Sequence, residues 1–324
     1  MPEQTPIEAP AQEPLALPRF HWALRLLVSV AVLIWLITSL NPGELLAALS
    51  YPHWAYLGLM VVCAWIFLVL GGLKIWVLLS TLKPIPFPRV LGRFLIASSL
   101  GAFTPANLGE FSLVALLRKD EIPLSQSAAI LVVDRAITLL LYAGVFLPLT
   151  LNLISPSPWL WGIPSTLILA CLFVWVVNNS SYFRSWAQSF IRRRPVQWLG
   201  LFLQSVSQLI RYHPWQLFSN LVVAVVRCAM GGAVVQFALQ AAGERVDFLP
   251  VLFTSNAISL LNLLPVSLSG LGLYEGGGVA IFQSLGFHAE RIFAGLAYQR
   301  LYIILSSLLI TMFAYLPLKK LKRK

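Results

Sequence analysis

Two glutamates precede an arginine by the same interval: Glu110 stands 25 residues before Arg135, and Glu275 stands 25 before Arg300. A third arginine, Arg227, lies in "VVAVVRCAMGGAVV" with no acidic residue within a helical turn. All five sit in apolar surroundings. At a bilayer centre an ionisable side chain costs at least about 2.5–3.5 kcal/mol, so such groups are kept paired, functional or facing a cavity. The chemistry open to this set is electrostatic. Three guanidiniums can hold an anion such as a lipid phosphate. Two carboxylates can hold the guanidiniums, or exchange protons and partners with them. A purely structural use is equally open, each pair tying a hairpin tip to its neighbouring helix. Asp134, next to Arg135, points to a different face of the same helix, and its role is left open.

The elements that must position these residues are membrane helices. The chain is 58% hydrophobic and 11% charged, against about 25% charged for a soluble domain, and its mean hydropathy is +0.80. Runs near the roughly 20 residues needed to span fall at 21–40, 54–79, 124–150, 159–178, 215–241 and 291–317. Two further apolar regions, 88–118 and 248–286, are broken by "TPANLGE" and "LLPVSLSGLGLYEGGG". There Pro105 and Pro265 each remove an amide donor and stop a helix. Gly109, Gly270 and Gly272 permit close approach or a positive φ. The arms are too short to cross. Non-helical backbone at membrane depth survives only when buried in protein or lining a wet cavity, so the two broken regions are expected to pack together. The helix that follows each break offers free N–H groups to an anion.

The expected fold is therefore all-α and polytopic, with about six transmembrane helices plus two re-entrant helical hairpins. If both hairpins re-enter, 18 of the 23 Lys and Arg residues fall on one side, counting Lys74 at an inner helix end. This bias places both termini in the cytoplasm. One hairpin then opens inward and the other outward, which makes half-repeats at about 54–178 and 215–317 inverted copies. Residues 1–18 read as a disordered Pro/Glu-rich tail, 19–318 as one membrane domain, 179–214 as an interfacial linker and 319–324 as a basic cytoplasmic tail.

A net charge of +11 fits cytoplasmic loops and anionic lipid better than nucleic acid, because the basic residues lie between oily segments. Cys63, Cys171 and Cys228 have neither metal nor disulfide spacing, and the four histidines form no cluster with carboxylates. Neither a Gly-x-Ser-x-Gly elbow nor a P-loop is present. We expect no metal, no cofactor and no catalytic residue. Trp22, Trp54, Trp159, Trp161 and Trp215 lie near span ends, as interface anchors do.

The motifs "TPANLGE", "VVDR", "LLPVSLSGLGLYEG" and "AYQR" resemble those of the lysylphosphatidylglycerol synthase transmembrane-region family, which includes flippase domains of lipid-aminoacylating proteins and stand-alone flippase-like members. The resemblance covers about residues 20–317. Pro105, Gly109, Glu110, Pro265, Gly270, Gly272, Glu275 and Arg300 match the family pattern. Leu268–Ser269 stand where Pro-Gly is usual, Tyr274 where Arg is usual, and Ala106–Asn107 where Gly-Arg is common. The resemblance implies a stand-alone member without the aminoacyl-transferring soluble domain, in a bacterial-type inner membrane. It implies movement of an anionic phospholipid or polyprenyl-phosphate-linked glycolipid between leaflets, and the intramembrane charges single out Glu110, Arg135, Arg227, Glu275 and Arg300 as the site residues. The alternatives are a membrane-embedded transferase on a lipid-linked substrate, or a non-transporting partner of a lipid-synthesis complex.

Overall fold

The computed structural model describes residues 19–155, 162–164, 166–167, 197–263, 267 and 269–321, and the elements there are helical. Helices α1 (Arg19–Ser39) and α2 (Pro42–Ser50) are bent by 103° from one another. Asn41 causes the restart: its side chain accepts from the Gly43 amide at 3.1 Å, and Pro42, which has no amide hydrogen to satisfy, takes the first helical position.

The first half continues with α3 (Trp54–Leu79) and α4 (Phe87–Gly101), then a 3₁₀ segment (Pro105–Phe111) and α5 (Ser112–Leu117). Next comes α6 (Leu124–Leu141), which runs through a π-helical turn (Tyr142–Phe146) into α7 (Leu147–Ile154). Pro148 lacks the N–H that would bond the Gly144 carbonyl, a reason for the helix to widen there. The second half repeats this order. Helices α8 (Gln197–Tyr212), α9 (Pro214–Ala241) and α10 (Phe248–Ile258) lead into a 3₁₀ segment (Ser259–Leu263). Helices α11 (Leu273–Ser284) and α12 (Ala289–Leu321) follow it.

Packing is reciprocal between the halves. Helix α4 lies on α12, and α10 lies on the π turn and α7 that extend α6. Short α2 packs on α12, and α8 packs on α6. Helices α3 and α9, the first long helix of each half, form the most extensive contact. They run antiparallel: the His53 amide before α3 donates to Ala241 O at the end of α9, at 2.9 Å. At the other end of the pair, Asn220 near the start of α9 donates to Lys74 O, late in α3, at 3.0 Å. An apolar core lies in each half. One is built around Leu78, Val90, Leu113 and Ile130, the other around Val251, Phe282, Ile292 and Leu296, where α1 and α2 add Leu36 and Leu45.

Each broken region is a hairpin whose feet are clamped. At the first, Arg93 before the break pairs with Asp120 beyond α5, and Lys83 pairs with Glu121 at 2.9 Å. The Lys83 hydrogen bond and charge hold the exposed Glu121 carboxyl below its usual range. That small contribution exists above the ordinary carboxylate range and fades as pH falls through the lowered value. At the second hairpin, Glu244 before α10 meets His288 at 3.2 Å and Arg291 at 3.6 Å beyond α11. The first pair of feet follows the end of α3, and the second follows the end of α9. Because α3 and α9 are antiparallel, the feet lie at opposite ends of that pair, while the two 3₁₀ segments touch each other.

Among the described residues four helices are long and apolar enough to span: Trp54–Leu79, Leu124–Ile154, Pro214–Ala241 and Ala289–Ala314. The bent pair of α1 and α2 makes a fifth if counted as one span. Of the six expected spans, 159–178 lies almost wholly outside the described residues, as does 179–196 of the expected linker. The remainder of that linker is α8, the second half's equivalent of α2. Lys74 departs from expectation: it is 2% exposed inside the core, not at an inner helix end, which lowers the basic count on that side to 17. Outward faces of α3, α9 and α12 carry exposed Val62, Ile66, Leu221, Val225, Leu305 and Met312, an apolar belt suited to lipid.

Candidate functional site

The hairpin tips, α3, α6, α9 and α12 enclose a cavity of about 230 Å³. Glu110, Arg135, Arg227, Glu275 and Arg300 all line it. Residues from separate stretches of chain thus meet because the tips meet.

The first tip depends on close backbone approach. Pro105 opens the 3₁₀ segment, and a Cβ on Gly109 would collide with the Leu100 carbonyl of α4. The Gly109 amide donates to Thr104 Oγ1 at 2.6 Å. This fold-back delivers Glu110 to Arg135 on α6, with which it forms an ion pair. Both side chains are partly open to the cavity, at 20% and 31% exposure.

The second tip is drier. Gly270 and Gly272 have φ of +75° and +83°, and α1 crosses so closely that a Cβ on Gly272 would lie 3.0 Å from Ser29 O. Ser269, where the family pattern has glycine, also adopts the left-handed region, at φ +48°. Pro265 lies outside the described residues. Glu275 stands in the first turn of α11 and accepts from the Gly272 amide at 2.8 Å, capping that helix. Its other oxygen accepts from Arg300 Nε on α12 at 2.7 Å, while Arg300 Nη1 donates to Ser269 O at 3.1 Å. The Glu275 side chain is 3% exposed. This carboxylate spans helix start, hairpin tip and the next long helix, so its structural role is substantial.

Arg227 differs from the other two arginines. Its Nε donates to Phe67 O at 3.3 Å, and its guanidinium carbon lies 3.9 Å over the Phe67 ring. Among the described residues no carboxylate pairs with it. The two Glu–Arg pairs cancel, leaving the cavity one net positive charge, carried by Arg227.

Three groups were not singled out in the sequence. Lys74 on α3 pairs with Asp134 on α6 at 3.1 Å and donates to Thr138 Oγ1 at 2.7 Å. Asn220 on α9 donates to Asp134 Oδ1 at 3.0 Å. This gives Asp134, left open above, a partner on another helix. A pocket of about 20 Å³, enough for roughly one water, joins the pair to Glu110, Arg135 and Arg227. Tyr142, at the π turn, also lines the main cavity; Pro148 is the sequence signal that marks its turn. Among the described residues no group of three His, Cys, Asp or Glu side chains could hold a metal.

Polar groups inside an apolar helical bundle, gathered where two broken helices meet, can bind a charged head group in a low-dielectric setting. No curated protein matches this chain. The family model for the lysylphosphatidylglycerol synthase TM region matches residues 22–311, nearly the whole length. With its apolar spans and lipid-facing belt it is an integral membrane protein, and the chain belongs to the lysylphosphatidylglycerol synthase TM region family.

Proposed function

We propose that this protein moves a phosphate-bearing lipid between membrane leaflets and leaves it covalently unchanged. The observation that carries this reading is the convergence of Arg135, Arg227, Arg300, Glu110 and Glu275 on one cavity between the hairpin tips. The head-group phosphate docks at Arg227 while its tails stay in lipid. Set in a bilayer, the hairpins are re-entrant from opposite faces, and the halves are inverted repeats in a six-span topology with both termini cytoplasmic. The membrane is of the bacterial plasma-membrane type. Inverted halves exchange roles when they rock, opening the cavity first to one leaflet and then to the other. Because each Glu–Arg pair joins a tip to a long helix, the pairs are the contacts that rocking must loosen. An arriving phosphate competes for Arg135, which lowers the cost of loosening the first pair.

A leaflet-sidedness assay in proteoliposomes tests this. Wild-type protein should accelerate exchange of a labelled anionic phospholipid over protein-free vesicles. Release requires each glutamate to take its arginine back from the phosphate, so Glu110→Gln and Glu275→Gln should leave the head group held and slow exchange by about tenfold, the rate equivalent of 1.4 kcal/mol. In Glu275→Gln the side-chain carbonyl can still accept from the Gly272 amide, so helix capping survives that change. Unchanged exchange in both variants, with melting temperatures preserved, would remove these residues from the transport step.

A further inference from the structure

The lining of the same cavity also defines the class of head group, an inference that rests on the lipid-translocation reading. The first consideration is charge. Glu275 is engaged by Arg300 and the Gly272 amide, and Glu110 by Arg135. The nearby Asp134 is engaged by Lys74 and Asn220. Among the described residues every carboxylate that reaches this region is committed, while Arg227 has none. A ligand bearing one negative charge completes the balance; a net-positive one meets an uncompensated guanidinium in a low-dielectric setting.

Hydrogen-bond polarity supplies the second consideration. Ser99, Ser259 and Ser306 line the cavity. Each donates its hydroxyl proton to its own backbone, at Leu95 O (2.8 Å), Ser255 O (2.8 Å) and Ile303 O (3.1 Å). With those protons used, the serine oxygens offer the cavity lone pairs only. Their complement is a ligand with several O–H or N–H donors. Ammonium donors would serve the serines but violate the charge balance. Uncharged hydroxyls satisfy both.

We infer that the cavity selects a lipid whose head is a single phosphodiester esterified to a small uncharged polyol such as glycerol, and that it rejects aminoacylated, net-positive heads. The phosphate sits on Arg227, and the polyol hydroxyls donate to the serine oxygens of α4, α12 and the second 3₁₀ segment. The selectivity thus lies in one unpaired cation and in three of the lining serines, Ser99, Ser259 and Ser306, whose protons are already used.

The experiment is native mass spectrometry of the full chain in detergent with short-chain lipids of one acyl length. Dioctanoyl phosphatidylglycerol should bind about tenfold more tightly than dioctanoyl lysylphosphatidylglycerol, as expected for one charge interaction worth 1.4 kcal/mol. It should also bind several-fold more tightly than dioctanoyl phosphatidylmethanol, which has the same charge and lacks the hydroxyls. Arg227→Gln should abolish the first preference and keep the second. Equal binding of the three lipids, or a preference for the lysyl lipid, would overturn the inference; both are read on wild-type protein and do not depend on a variant folding. Competition by glycerol 3-phosphate at matched concentration would overturn the lipid assignment in favour of a soluble phosphate. Selective binding without leaflet exchange in the vesicle assay would sink translocation alone, and exchange without selectivity would sink only this inference.

Discussion

Asp134→Asn is expected to destabilise the protein by about 3 kcal/mol, the low end of the cost of breaking a buried ion pair. The reason is Lys74. Its side chain is 2% exposed, and Asp134 is its counter-ion at 3.1 Å. An asparagine preserves shape and some hydrogen bonding but leaves an ammonium buried without a compensating charge. Thr138 and Asn220 cannot replace it, since one supplies only a hydroxyl and the other donates to Asp134. Because the pair joins α3 to α6 and Asn220 brings in α9, the loss loosens the seam between the halves. Lys74→Met combined with Asp134→Leu should recover most of the stability, since apolar replacements of buried pairs are often near neutral. Thermal unfolding in detergent reads both. A single variant that melts with wild type would show that the pair adds nothing to the seam.

The second large effect is an asymmetry between two chemically identical pairs. Arg300→Gln should cost about 2 kcal/mol more than Arg135→Gln. Glu275 is 3% exposed and would be left as a nearly dry carboxylate, with Ser269 O losing its donor as well. Glu110 and Arg135 are 20% and 31% exposed, so cavity water can solvate the glutamate that remains, and pairs with such access are worth less. Equal melting shifts for the two variants, or a larger shift for Arg135→Gln, would contradict the burial difference on which this rests.

Much of this architecture is legible in the sequence because a bilayer is a severe solvent. A proline followed within a few residues by glycines and an acidic residue inside an apolar run points to broken backbone that must be sheltered, and two such runs at equivalent places point to each other. The five charged residues stand out for the same reason. What the sequence hides are the partnerships that depend on rotation about a helix axis. Lys74 lies five residues from the end of α3, where a lysine commonly snorkels to the interface; only the packing of α6 and α9 shows that it turns inward. Asp134 looks unpaired because its partner is 60 residues away on another helix. The equivalence of α2 and α8 is hidden too, because both are short and share position rather than sequence. The serine oxygens are illegible for a further reason: their acceptor character follows from hydrogen bonds to their own helices, which composition does not record.

The central claim is that a lipid head group enters the space between the two hairpin tips. Photo-crosslinking in vesicles with a phosphatidylglycerol analogue bearing a diazirine on its head group, followed by peptide mapping, addresses it directly. The account predicts adducts at both tips, in Leu108–Phe111 and Ser259–Asn262, and on α12 near Gln299–Ser307, suppressed by unlabelled phosphatidylglycerol. Adducts confined to the outward faces around Val62, Leu221 and Leu308, with the tips unmodified, would mean that the head group stays outside and the account is wrong.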